Sequence, residues 1–450
     1  MTIPFETYFE NLRGKSVAVL GLGVSNRPLV RLLLEFGCIV SGGDRTERDK
    51  LDAEVLELEK MGCKLFLGEH FYEEMSAQVA FRTPGMHPGS PAVCALRDSG
   101  AVITSEMEAF FQVCPCDIIA VTGSDGKTTT TTLISEMLKA QGKTVWLGGN
   151  IGTPLLPLTR QMKQDDVAVV ELSSFQLMDM EHSPRVAVIT NLAPNHLDVH
   201  KDMEEYVEAK KNIYRFQNEE GILVVNADNA VTAPLRGNGT TKTFARVGQG
   251  NVCLNEGTIC RNGIPVLDSK EILLPGVHNI ENYMAAIAAV EGLVSDETIC
   301  KVAKTFGGVE HRIELVRIKD GVRFYNDSIA SSPSRTIAGL RSFEEKVILI
   351  AGGYDKHIPY DVLGPEICAH VKKLFLGGAT GPLIREAVEK CAEEKPEIVD
   401  CGDFTSAVQA AAAAAQPGDV VLMSPASAAF DQFKNFMVRG QCFKKLVMEL

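Results

Sequence analysis

Asp117-Ile-Ile-Ala-Val-Thr-Gly-Ser-Asp-Gly-Lys-Thr128 is the stretch that decides the fold of this chain. Its first half is a short unbroken apolar run, the pattern of a strand buried on both faces. Its second half is a glycine turn opening onto a long, threonine-rich helical stretch. Strand, turn and helix in that order read as half of a parallel βαβ unit. Gly123 and Gly126 let backbone N–H groups crowd around phosphate oxygens, and the helix N-terminus adds the positive end of its dipole. Lys127 would reach the outer phosphates as a point charge, and the Thr128 hydroxyl could sit on Mg²⁺. The usual eight-residue pattern wants a glycine where this chain has Val121, so the loop is a shorter variant. A plain glycine turn followed by a chance lysine is the alternative; the order of the elements favours a nucleotide site.

Strand and helix signals alternate in both directions from this stretch. Upstream, Lys15-Ser-Val-Ala-Val-Leu-Gly-Leu-Gly reads as a strand, Pro28 to Phe36 as a helix and Cys38-Ile-Val-Ser-Gly-Gly-Asp as a second strand. Downstream, strands are expected at Val167–Leu172, Val186–Asn191 and Gly221–Asn226. A third set follows Gly307-Gly308, near Val322–Tyr325, Lys346–Ile350, Lys373–Leu376 and Val420–Met423. The six alanines 410–415 fit a helix lying close against a sheet. These segments predict three α/β domains, 1–105, 106–309 and 310–450.

Composition narrows the function classes. At roughly 150 residues per domain, 450 residues fit about three. Hydrophobic residues at 45% and charged residues at 23% exclude a disordered or fibrous chain. A net charge of −13 does not attract nucleic acid or an anionic membrane over the whole surface, so an anionic substrate must be met locally. No apolar run approaches the roughly 18 residues of a membrane span, and the N-terminus lacks the order of a signal peptide. The 12 cysteines include one close pair, Cys114 and Cys116, and read as free thiols of a cytosolic protein without zinc. Cytoplasmic location is the expectation.

Three further groups of residues carry chemistry. Gly21-Leu-Gly23-Val-Ser-Asn26, with Asp44 at the end of the next strand, imitates a dinucleotide fingerprint. Asn26 replaces the third glycine, which argues against a nicotinamide site; a diphosphate site or a bare turn stays open, and Thr83-Pro-Gly85 could close the same pocket. Glu171 ends a strand and would face the phosphate crevice, where one carboxylate, Thr128 and nucleotide oxygens suffice for one Mg²⁺. His196 is a candidate ligand or a structural histidine. Lys210 and Lys211 read by default as a solvated basic pair on a helix.

Together these motifs resemble the Mur ligases of bacterial peptidoglycan synthesis. The resemblance rests on Thr122–Thr129, Gly149-Asn150-Ile-Gly-Thr-Pro, Glu171-Leu-Ser-Ser-Phe-Gln-Leu177, Ala209-Lys-Lys-Asn-Ile-Tyr214, Gly276–Asn282, Glu310-His-Arg-Ile-Glu314, Asn326-Asp-Ser328 and Ser424–Phe436. They recur in family order along essentially the whole chain, and Glu171–Gln176 with Asp431–Phe436 point to the D-glutamate-adding branch. The resemblance implies an α/β protein with Rossmann-like N- and C-terminal domains around a central P-loop-type ATPase domain. It implies ATP-driven addition of D-glutamate to UDP-N-acetylmuramoyl-L-alanine through an acyl phosphate, with ATP, Mg²⁺ as two ions, no nucleic acid, no membrane insertion and a monomer.

Residue by residue, the resemblance assigns the UDP-substrate to Val24, Ser25, Asp44, Arg45, Thr83 to Gly85, Asn150 and His196. ATP falls to Gly123, Gly126, Lys127, Thr128, Thr129, Asn279, Asn282, Arg312 and Asp327. Metal falls to Thr128, Glu171, His196 and Lys210, the last as a carbamate; Lys127, Glu171, His196 and Lys210 form the catalytic set. D-glutamate falls to Lys356, Ser331 and the backbone near Phe436. Three departures from the family pattern stand out: Asn195 before His196, Ile329 after the Asp327 motif, and Ala429 before Phe430-Asp-Gln.

Overall fold

The structure is a computed structural model and describes residues 2–195 and 199–450. Its described residues form three sheets, divided between two compact units. One unit comprises 1–269 with 280–302, and the other 270–279 with 303–450. No helix among the described residues is long and apolar enough to cross a membrane.

The first sheet contains Ser16–Leu20 (β1), Ile39–Asp44 (β2), Lys64–Leu67 (β3), Val79–Arg82 (β4) and Val102–Thr104 (β5). All neighbours are parallel, in the order β3-β2-β1-β4-β5. The crossover helix after β1 runs Asn26–Glu35, two residues earlier than the sequence pattern suggests, because the Asn26 side chain turns back to donate to the Gly21 carbonyl at 2.8 Å. Phe9 and Phe36 stack at 5.0 Å beneath this sheet, and Arg160 from the next sheet's region lies over the Phe36 ring.

The second sheet shares the unit. Its strands are Asp117–Thr122 (β6), Val145–Gly149 (β7), Val167–Glu171 (β8), Val186–Ile189 (β9), Ile222–Asn226 (β10), Thr240–Ala245 (β11), Val252–Asn255 (β12), Thr258–Arg261 (β13) and Ile264–Asp268 (β14). The order is β14-β13-β12-β11-β10-β9-β6-β8-β7, so β6, with its glycine turn, lies inside the parallel part. β12 to β14 are an antiparallel extension that apolar runs did not reveal. Its signals were turn residues: Glu256-Gly257 and Asn262-Gly263 both hold positive φ, the requirement of a two-residue hairpin turn.

The other unit carries Glu314–Lys319 (β15), Val322–Asn326 (β16), Val347–Ala351 (β17), Val371–Gly377 (β18), Glu397–Gly402 (β19) and Val420–Met423 (β20), ordered β15-β16-β20-β17-β18-β19. Only β15 is antiparallel to its neighbour. The alanine-rich helix Phe404–Ala414 packs against this sheet through Ala407 and Ala411, both fully buried.

Two glycines at strand ends of this sheet separate crowding from backbone strain. Gly352 has φ +113°, and an added Cβ would stand 1.8 Å from the Gly377 carbonyl oxygen; Gly402 has φ +79° and open space around it. Gly402→Ala should cost roughly 1–2 kcal/mol of left-handed strain, whereas Gly352→Ala should cost about 3 kcal/mol or more through backbone displacement. Thermal and urea unfolding of the two variants checks this; equal losses would contradict the packing of β17 against β18.

Candidate active site

The turn after β6 is built so that only glycine fits twice. At Gly123 (φ +149°) an added Cβ would lie 1.9 Å from Thr190 Oγ1, and at Gly126 (φ +75°) 2.3 Å from Asn282 Oδ1. Thr190 Oγ1 donates to the Asp125 carbonyl at 2.6 Å, and Asn191 Oδ1 accepts from Asp125 N at 2.9 Å, so the end of β9 pins the turn. Asn282 Oδ1 also accepts from Thr130 Oγ1 at 3.3 Å. The helix Lys127–Ala140 starts here, with Thr128 and Thr129 partly exposed at its mouth and Thr130 and Thr131 buried beneath. Lys127 Nζ donates to the carbonyls of Gly123 (3.0 Å) and Ser124 (2.9 Å).

Lys210 departs from its default reading. It faces inward from the helix Met203–Arg215, is 1% exposed, and donates to the Gly123 carbonyl at 2.9 Å and Thr122 Oγ1 at 3.0 Å. Burial, and next the charge of Lys127, hold this amine well below lysine's ordinary pKa. Lys211, one residue on, points outward and pairs with Glu208 at 2.6 Å. The helical rotation of about 100° per residue separates their fates.

Glu171 ends β8 beside them, buried. Its Oε1 accepts from Asn150 Nδ2 at 2.7 Å, and its Oε2 is buried without a hydrogen-bond partner. A carboxylate oxygen held dry and unpaired fits a hard cation. No group of three His, Cys, Asp or Glu side chains converges among the described residues. A Mg²⁺ here would therefore draw on Glu171, Thr128 and substrate oxygens. His196 lies outside the described residues. His200, which the sequence did not single out, is buried: its Nε2 meets Ser174 Oγ at 2.9 Å, and its ring stacks on Phe175. Tyr206 was missed as well; its hydroxyl meets Ser124 Oγ at 2.9 Å, and Lys210 Nζ sits 4.9 Å over its ring.

In the first sheet, Asp44 spends its carboxylate on the glycine turn. Its Oδ2 accepts from Leu22 N at 2.8 Å and Oδ1 from Thr46 N at 2.9 Å; these bonds outweigh burial and lower its pKa. Thr83 packs against Gly21, where an added Cβ would lie 2.7 Å from Thr83 Cγ2, so the turns 21–26 and 83–85 stand side by side. Val24, Ser25, Arg45 and Gly85 are exposed around them, Val24 at 74%.

In the other unit, Asp327 follows β16 and is buried, with Oδ2 accepting from Ser424 Oγ at 2.7 Å and Oδ1 from Ile313 N at 3.3 Å. Burial pushes its pKa up to about 7 against these bonds and the charges of Arg312 and Arg335. Arg312 is partly exposed, and Asn279 is buried with Nδ2 donating to the Pro275 carbonyl at 2.6 Å. Ser331 and Phe436 are partly exposed and Lys356 is exposed, near the Phe430 ring. Sequence reading missed Arg439, which is 1% exposed and donates to Ser328 Oγ and to the carbonyls of Ser328, Ser427 and Ala428 at 2.9–3.1 Å. Burial lowers its pKa to about 10. Ser328 Oγ in turn donates to the Phe436 carbonyl at 2.7 Å, so Arg439 holds the loops after β16 and β20 together.

Asp327 has a signed consequence. Its folded pKa lies above the ordinary carboxyl value, so the folded chain holds its proton longer than the unfolded one and loses stability as pH rises from about 4 to about 7. Asp327→Asn should remove that loss: its stability advantage over wild type should widen across this window in urea titrations. A constant difference would contradict a protonated Asp327.

Comparison with known proteins supplies the family. Residues 121–290 match the Mur ligase middle domain, and residues 311–427 match the Mur ligase glutamate ligase domain. The chain is 49% identical to the UDP-N-acetylmuramoylalanine--D-glutamate ligase of Acetivibrio thermocellus, covering 99% of both chains. It is 47% identical to that of Ruminiclostridium cellulolyticum, covering 100% of both. Among solved structures, the UDP-N-acetylmuramate-alanine ligase MurC of Thermotoga maritima has the same fold at 18% identity and a TM-score of 0.58, over 97% of this chain and 99% of that one. The MurF ligase of Thermotoga maritima, solved with ADP, gives 0.53 at 18% identity over 98% and 97%. The chain belongs to the Mur ligase family, and within it to the UDP-N-acetylmuramoylalanine--D-glutamate ligases.

Proposed function

We propose that this chain joins D-glutamate to UDP-N-acetylmuramoyl-L-alanine in an ATP-driven amide ligation, in the cytoplasm and as a monomer. The observation that carries the reading is the meeting of Lys127 and Lys210 on the Gly123 carbonyl, with the Glu171 carboxylate, one oxygen of it unpaired, near enough to act on Lys210. The domains divide as 1–105 for the UDP-substrate, 106–309 for ATP and 310–450 for the amino acid.

The chemistry begins with two anions that repel. At about 4 Å the repulsion between a carboxylate and a phosphate is roughly 4 kcal/mol even at an effective dielectric of 20. Gly123, Gly126, Thr128 and Thr129 present backbone N–H groups to the phosphates, and Lys127 trades its loop carbonyls for the γ-phosphate. Asn282, with Asn279, Arg312 and Asp327, serves the nucleotide. Val24, Ser25, Asp44, Arg45, Thr83 and Gly85 hold the UDP part, and Asn150 and His196 the end that reacts. The substrate carboxylate oxygen attacks the γ-phosphorus and ADP leaves. The D-glutamate amine then attacks the acyl carbon, phosphate departs and the nitrogen gives up its proton. Lys356, Ser331 and the Phe436 backbone hold the incoming amino acid.

Mg²⁺, as two ions, would supply charge neutralisation at the phosphates, held by Thr128, Glu171, His196 and a modified Lys210. An ammonium cannot ligate a cation. A neutral amine can add to CO₂, releasing a proton and leaving a carbamate, and the buried, charge-crowded Lys210 is set up to be that amine.

ADP release should require both UDP-N-acetylmuramoyl-L-alanine and D-glutamate; release with ATP alone would replace ligation by plain ATP hydrolysis. Lys210→Ala should lose at least about 100-fold in kcat, equivalent to roughly 3 kcal/mol, with partial rescue by small carboxylates. Full activity in that variant would remove the carbamate.

A further inference from the structure

Arg82 terminates β4 after the apolar residues Val79-Ala-Phe and is 1% exposed. None of the family motifs includes it, yet its guanidinium reaches three separate places. Its Nε donates to both carboxylate oxygens of Asp179 at 3.0 and 2.9 Å, and a terminal nitrogen donates to Asp179 again. The same terminal nitrogen donates to the Phe175 carbonyl at 2.9 Å. The other reaches back to the Met86 carbonyl at 3.2 Å.

These anchors belong to the two loops that bracket the proposed reaction. Met86 closes the turn that begins with Thr83, and Met86 N returns to the Thr83 carbonyl at 3.0 Å. Thr83 packs against Gly21, so this turn belongs to the proposed UDP pocket. Phe175 lies in the short helix Ser174–Leu177, four residues after Glu171, and a capping box between Ser173 and Gln176 fixes the start of that helix. Asp179 follows two residues after its end. One planar side chain therefore spans from the turn at 83–86 to the segment carrying Glu171. Burying a guanidinium is costly, and an apolar contact would join two sheets more cheaply. What the bidentate fork adds is a fixed distance and angle.

We propose that Arg82, with Asp179, is a positioning residue for the ligation: it sets the span between the UDP-holding turn and the Glu171 segment, and so places the substrate carboxylate for attack. This rests on the function proposed above. A misplacement of about 1 Å in such a span can cost roughly 100-fold in rate.

The test compares wild type with Arg82→Lys, Arg82→Met and Asp179→Asn in steady-state kinetics for all three substrates, with melting temperature measured alongside. Wild-type ADP release that depends on both the UDP-substrate and D-glutamate establishes the underlying reading on its own. Given that, kcat/KM for UDP-N-acetylmuramoyl-L-alanine should fall at least about tenfold in each variant, while KM for ATP and D-glutamate stays within about twofold. Arg82→Lys keeps the charge and loses the fork, so it should behave like Arg82→Met kinetically even where it melts like wild type. The Arg82→Met, Asp179→Asn double variant should be no worse than the poorer single. Lowered melting with unchanged kinetics, or an equal rise in all three KM values, would overturn the proposal and leave Arg82 a plain structural tie.

Discussion

Two lysines donate to one carbonyl. Lys127 and Lys210 both reach the oxygen of Gly123 in the turn after β6, and much of the central architecture serves to keep them there. The mutual repulsion of the two amines is offset by that carbonyl, by Ser124 O on one side and Thr122 Oγ1 on the other. Thr190 and Asn191, just after β9, hold the turn, β8 supplies Glu171 next to it, and the helix Met203–Arg215 delivers Lys210. Burial, with the Lys127 charge adding to it, is why Lys210 is held toward its neutral form. A glycine turn with a lysine at its mouth and one buried, unpaired carboxylate oxygen beside it is suited to a triphosphate that must be brought up against an organic acid.

Much of this was legible in the chain because the parallel strands are buried on both faces. Val167–Glu171 and Asp117–Thr122 are continuous apolar runs, and their carboxyl ends are where chemistry in open α/β sheets collects. The antiparallel strands β12 to β14 escaped notice for the opposite reason: they are short and carry Asn, Thr, Cys and Arg, with only the Glu256-Gly257 and Asn262-Gly263 turns to betray them.

Burial of polar groups was the other blind spot. Composition treats Lys210 and Lys211 alike, yet one is sealed and the other is half-buried and paired with Glu208. His200, Arg82 and Arg439 are polar residues whose importance comes from long-range partners, and no local pattern announces a bond across 97 or 111 residues. Resemblance to the family found Lys210 where local reasoning favoured a solvated pair. The Asp44 carboxylate shows the reverse: the fingerprint pointed to it, and the structure adds that it bonds Leu22 N and Thr46 N, shaping the turn as well as lining it.

The central claim is that a substrate carboxylate attacks the γ-phosphorus held at Gly123–Thr128. Oxygen-isotope transfer reads that event directly. With UDP-N-acetylmuramoyl-L-alanine labelled with ¹⁸O in its terminal carboxylate, the account predicts that the phosphate released during ligation carries one labelled oxygen and that Lys127→Ala releases essentially none. Unlabelled phosphate from the wild-type reaction would mean that water, and not the carboxylate, takes the phosphoryl group, and would contradict it.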